Sequence, residues 1–149
     1  GLAIPAAALA LSQAEGWAKW TAKANQIYAA VDDGQPPSEG KRQKIKGACT
    51  GASGTLSGWS APYWATNIVG LCRHVDDEFG PDRTISRAWG RGECMEMKEV
   101  RGQLRNGADK GVADQPDVQP AAKKLFALAD SFYTTYCTKD GRKQMRDAG

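Results

Sequence analysis

At 149 residues and 16.0 kDa, the chain fits one domain, long enough to bury about two thirds of its unfolded surface without a structural metal. Its 41% hydrophobic and 25% charged residues exclude a disordered or fibrous chain. A net charge of +3 is a mild excess, enough for weak attraction to an anionic surface and too small to name a partner by itself.

Residues 1–14 carry an apolar, alanine-rich run followed by Ser12 and Ala14 ahead of Glu15. The run reads as the first turn of a helix or as a docking segment; its small-x-small ending also resembles the remnant of an export signal. It is too short to cross a bilayer. From Ala6 to Val31 strong helix formers predominate, and Trp17, Trp20, Ala24, Ile27, Tyr28 and Val31 recur at intervals of three and four. That spacing predicts a long helix with one buried stripe. Ser38 can cap a second helix through Lys41, Ile45 and Cys49.

Residues 47–58 hold Gly47, Gly51, Gly54 and Gly58. Four glycines in a helix would each cost about 1 kcal/mol relative to alanine, so a flexible loop is preferred over a helical glycine strip. Pro62 suits the start of a third helix, on which Trp64, Ile68, Leu71, Cys72, Val75 and Phe79 form a stripe that Gly80 and Pro81 end. A fourth helix is expected from Asp82 or Thr84, carrying Ile85, Trp89, Met97, Val100 and Leu104, with a kink near Gly90 and Gly92. Residues 105–119 read as the longest surface connection. Pro120 then opens the clearest helix, with Leu125, Leu128, Ala129, Phe132, Tyr133 and Tyr136 on one side, and residues 138–149 form a basic tail. No stretch alternates as a strand would. The expected fold is a single all-α domain over residues 1–149, an irregular or antiparallel bundle of about five helices.

Cys49, Cys72, Cys94 and Cys137 are the four cysteines, an even number with no zinc-type spacing. Two disulfides are expected and no metal, each bridge worth about 2–4 kcal/mol. Such a framework belongs to secretion, a periplasm or an organelle lumen. If the third and fourth helices form a hairpin, Cys94 lies about 6 Å along the axis from the level of Cys72, which disfavours that pairing. Cys49 with Cys72 and Cys94 with Cys137 is preferred; Cys49 with Cys94 and Cys72 with Cys137 remains open.

The one histidine, His74, stands in a run from Leu71 through Cys72, Arg73, His74, Val75, Asp76 and Asp77. This run distantly resembles the helix motif of secreted phospholipases A2 of the bacterial and fungal type, in which a Cys, Arg, His, Asp run carries the catalytic histidine and a calcium-binding aspartate. The stretch from Leu128 to Tyr133 is loosely similar to the second long helix of that family. Here Val75 follows the histidine, so Asp77, three residues on, is the carboxylate that shares its helix face. The resemblance implies a hydrolase using His74 and Asp77. The alternative is a surface histidine whose acidic neighbours raise its pKa.

Other signals point to binding. Trp59 sits in the glycine-rich stretch and reads as an exposed contact residue. Lys41, Arg42, Lys44 and Lys46 form one basic cluster, and Lys139, Arg142, Lys143 and Arg146 a second. The expected partner is another protein, with an anionic lipid or polyanion as the lesser alternative. Acids from Asp76 to Glu99 would divide the surface electrically. Glu15 with Glu78 or Glu93 offers a carboxylate pair of the kind glycosidases use. No constellation supplies nucleophile, base and stabiliser together. The sequence therefore reads as an exported, non-catalytic helical interaction protein with no cofactor; a phospholipase-like hydrolase and a small apolar-ligand carrier are the alternatives.

Overall fold

A computed structural model describes residues 10–31, 38–79, 91–141 and 143. Five α-helices and one 3-10 helix account for most of them: α1 (Gln13–Val31), α2 (Glu39–Cys49), the 3-10 helix (Ser53–Leu56), α3 (Tyr63–Phe79), α4 (Arg91–Lys110) and α5 (Val118–Tyr136). Among the described residues an isolated bridge between Val112 and Gln115 is the only β pairing. The fold is a disulfide-stabilised all-α bundle.

α1 starts later than Ala6, because Ser12 and Glu15 form a reciprocal cap. The Glu15 amide donates to Ser12 Oγ at 3.1 Å, and the Ser12 amide donates to Glu15 Oε1 at 3.3 Å. The small-x-small stretch is thus the start of a helix. Just ahead of it Leu11 donates its amide to the Gly58 carbonyl at 2.7 Å. Gln13 exchanges two hydrogen bonds with the backbone of Ser60. Residues 1–9 lie outside the described residues.

Ser38 caps α2, accepting from the Lys41 amide at 3.2 Å. The glycine-rich stretch is an ordered turn: Gly47 belongs to α2, residues 53–56 coil into the 3-10 helix, and Thr55 is buried. The expected flexible loop is therefore corrected. Disulfide and loop contacts order it: Cys49 is bonded to Cys72, with Cα atoms 5.4 Å apart.

Cys94 pairs with Cys137, again at 5.4 Å between Cα atoms. The alternative that joined Cys49 to Cys94 is excluded. The second bridge ties α4 to the end of α5, and the salt bridge from Arg101 Nε to Asp130 Oδ1 at 2.7 Å and the Gln119 bond to the Ala108 carbonyl at 3.0 Å follow antiparallel register. α4 runs to Lys110, beyond the expected end near residue 105, because Gly107 and Ala108 are buried. The connection to α5 is accordingly only residues 111–117. The first half of the expected fourth helix, with Ile85, Trp89 and Gly90 of its kink, lies outside the described residues, while Gly92 sits in the first turn of α4.

α1, α3 and α5 run parallel to one another and antiparallel to α2 and α4. Trp20 donates to the Ala65 carbonyl at 3.0 Å, setting the starts of α1 and α3 level. Lys124 donates to Asn25 Oδ1 at 3.1 Å, aligning α1 with α5. α4 packs chiefly on α5 and then α3, and α2 leans on α1 and α3. At one end Trp17 is the hub of a cluster, with its centroid 5.6 Å from Trp20, 5.0 Å from Trp59 and 5.3 Å from Trp64. The opposite end carries the C-termini of α1, α3 and α5.

Candidate functional site

His74 lies on α3 and is 4% exposed. It faces α4, where Glu96 Oε1 is 3.7 Å from its Nε2, and Arg73 pairs with the same carboxylate. Burial lowers the imidazole pKa below its ordinary value of 6.5, and the Arg73 guanidinium lowers it further; Asp77 and Glu93 oppose both. The expected surface histidine with a raised pKa is corrected: desolvation outweighs the acidic neighbours. Asp77 sits half-buried one turn along α3, on the face that the spacing predicts. An imidazole packed between two helices is poorly placed to activate water toward an ester.

Among the described residues no three His, Cys, Asp or Glu side chains gather where they could hold a metal ion. Glu15 begins α1 and Glu78 lies near the end of α3, so the parallel helices hold them roughly 20 Å apart at 1.5 Å per residue. They form no acid–base pair. Glu93, which starts α4 close to His74, is equally remote from Glu15.

The binding candidates fare unevenly. Trp59 is half-buried, donates its indole N–H to the Thr55 carbonyl at 2.6 Å and packs on Gly16 and Trp17. It closes the tryptophan cluster and is not the exposed loop side chain expected. Arg42 is 9% exposed and donates to the Phe79 carbonyl at 3.5 Å; Lys41 donates to the Val31 carbonyl at 3.3 Å. These two cations answer the C-terminal ends of α3 and α1. Their neighbours Lys44 and Lys46 are exposed, as is Lys143, while Arg142 and Arg146 lie outside the described residues. The first basic cluster is therefore split between structural and solvent-facing side chains.

A concave site does form where the sequence offered none. A groove of about 530 Å³ opens among the C-terminal portions of α1, α3 and α5. Tyr28 and Val31 come from α1, Glu78 and Phe79 from α3, and Leu128, Phe132 and Tyr136 from α5, with Ser131 and Thr135 at its polar edge. Phe132 lies 5.8 Å from Phe79 and 6.1 Å from Tyr136 between ring centroids, giving a continuous aromatic wall. Glu78 is the one charged side chain among the described residues that line it. Tyr28, Phe79, Phe132 and Tyr136 all fell on predicted core stripes. The available signal was their crowding near the last turns of three helices, which becomes a site only when those helices run parallel.

Comparisons with protein-family models, with curated proteins and with solved structures find no match to this chain. Its chemistry rests on the geometry above. The two disulfides fit an extracellular or otherwise oxidising compartment. No helix among the described residues is long and apolar enough to cross a membrane.

Proposed function

We propose that the protein is an exported, non-catalytic helical binding protein and that it works as a carrier of a small, largely apolar ligand in the aromatic groove. The observation that carries this reading is the groove itself: about 530 Å³ lies within the usual range of small-molecule sites, and its lining of rings and aliphatic side chains with a few polar groups is their usual composition. A protein partner, the leading expectation from sequence, has weaker support, since Trp59 is packed inward and Lys41 and Arg42 bond helix ends. Burial of His74 argues against the hydrolase.

Titration with the neutral dye Nile red tests the carrier. One equivalent is expected to bind with enhanced fluorescence, and Ser131→Trp, a substitution at an exposed position on the groove edge, is expected to remove that binding while leaving the circular dichroism unchanged. Absence of a saturable site, or a site indifferent to Ser131→Trp, would refute the carrier reading.

A further inference from the structure

The groove has a sign as well as a shape. α1 ends at Val31, α3 at Phe79 and α5 at Tyr136, and all three terminal residues line it. Each parallel helix therefore directs the negative end of its dipole toward the same space. Glu78 adds a carboxylate. The aromatic rings add the negative faces of their π-systems, which attract a cation within about 6 Å of a ring centroid. α2 and α4 begin at this end of the bundle with dipoles of opposite sense, but none of their described residues line the groove.

Two of these helix ends are matched by the fold's own cations, so the charge left facing the groove is chiefly that of Glu78 and the rings. Lys41 donates to the Val31 carbonyl and Arg42 to the Phe79 carbonyl, at 3.3 and 3.5 Å. Lys124 Nζ stands 5.6 Å from the centroid of the Tyr28 ring. None of these three cations lines the groove itself, where Glu78 is the one charged side chain among the described residues.

We propose that the groove is a site for an amphipathic organic cation, an ammonium head carried on an apolar body, with the head between Glu78 and the aromatic rings and the body along Val31, Leu128 and Phe132. The proposal rests on the carrier reading and adds to it the charge of the ligand. Protonated amines and quaternary ammonium ions satisfy the same site; fatty carboxylates do not, because their head would meet the Glu78 carboxylate and the negative faces of the rings.

Isothermal titration of the full chain with decyltrimethylammonium, decanoate and decanol, all below their aggregation concentrations, tests it. Decyltrimethylammonium is expected to bind once per chain and about tenfold more tightly than decanoate, the order of one carboxylate plus cation–π contacts. Glu78→Gln should erase most of that preference. Ser131→Lys, which brings a positive charge to an exposed position on the groove edge, should reverse it, and so gives a second reading should the Glu78 variant prove unstable. Decanoate binding as tightly as the ammonium, or an ammonium preference untouched by both variants, overturns the proposal. If Nile red and decanol bind while the ammonium shows no preference, the carrier stands and the charge assignment alone fails; if none of the probes binds, both fail.

Discussion

A Cβ placed on Gly107 would overlap the six-membered ring of Trp64, whereas one on Gly102, an exposed position of the same helix, meets nothing within 4 Å. The two glycines therefore respond oppositely to alanine. Gly107→Ala is expected to cost about 2–3 kcal/mol by overpacking the tryptophan cluster, and Gly102→Ala to stabilise by about 0.5–1 kcal/mol through helix propensity alone. Urea unfolding of the two variants separates the effects, and a common direction of change would show that α4 does not seat the Trp64 ring. His74 makes a second residue-level case. Its folded pKa lies below the ordinary 6.5, so its neutral form carries stability that is fully present above pH 6.5 and lost as pH falls through the lowered folded value. Burial is the main cause and Arg73 adds to it, while Asp77 on α3 and Glu93 on α4 oppose it; Glu96 of α4 lies 3.7 Å from Nε2. Comparing urea midpoints at pH 7.5 and 5.5, His74→Gln should flatten part of the loss; an equal loss in both proteins would mean that His74 is not the group responding.

Helix ends show how local signals and tertiary contacts share the work at the next scale. Ser12 and Glu15 close α1 with a pair that the S-x-x-E spacing already spells out. Ser12→Ala is expected to cost about 1 kcal/mol, measurable as a lower urea midpoint with unchanged slope; no change would mean that the cap contributes nothing. The C-termini behave differently. α1 and α3 are completed by Lys41 and Arg42 from α2, a contact that no spacing along the chain announces. Arg42→Met should destabilise by about 1–3 kcal/mol, because a part-buried helix-end carbonyl loses its donor, while the same change at exposed Lys44 should be near neutral. Equal effects would return both residues to the solvent-facing cluster expected from sequence. The end of α4 makes the converse point: Asn106, Gly107 and Asp109 are poor helix residues, yet the helix continues through them. Burial of Gly107 against Trp64 outweighs their propensity.

Across the whole molecule the two disulfides brace different joints. The Cys49–Cys72 bridge spans 23 residues and holds α2 to α3; the Cys94–Cys137 bridge spans 43 and fastens α4 to the end of α5. Loop-closure entropy assigns them about 3.5 and about 4 kcal/mol respectively. Replacing both cysteines of either pair by alanine should lower thermal stability by comparable amounts, with the longer loop costing slightly more. Peptide mapping without reduction should recover these two pairings and no free thiol; a Cys72–Cys94 peptide would contradict the bundle register. The α4–α5 joint is further held by Arg101, bonded to Asp130 and lying 5.0 Å from the Tyr133 ring centroid and 5.8 Å from that of Phe126.

Helical periodicity, the S-x-x-E and Ser38 caps and the even set of cysteines were sufficient to establish an all-α, disulfide-held bundle, because these are short-range signals written in residue type and spacing. They were also sufficient to bring His74 and Asp77 onto one face of α3. What lay beyond them depended on which helices run parallel. That choice buried His74 against α4, turned Trp59 into the tryptophan cluster, assigned Arg42 to a helix end and brought the last turns of α1, α3 and α5 together around one groove. An apolar stripe specifies that a face is covered, since the hydrophobic effect has no direction; only the assembled packing decides by what, and where three stripes fall short of closing on one another.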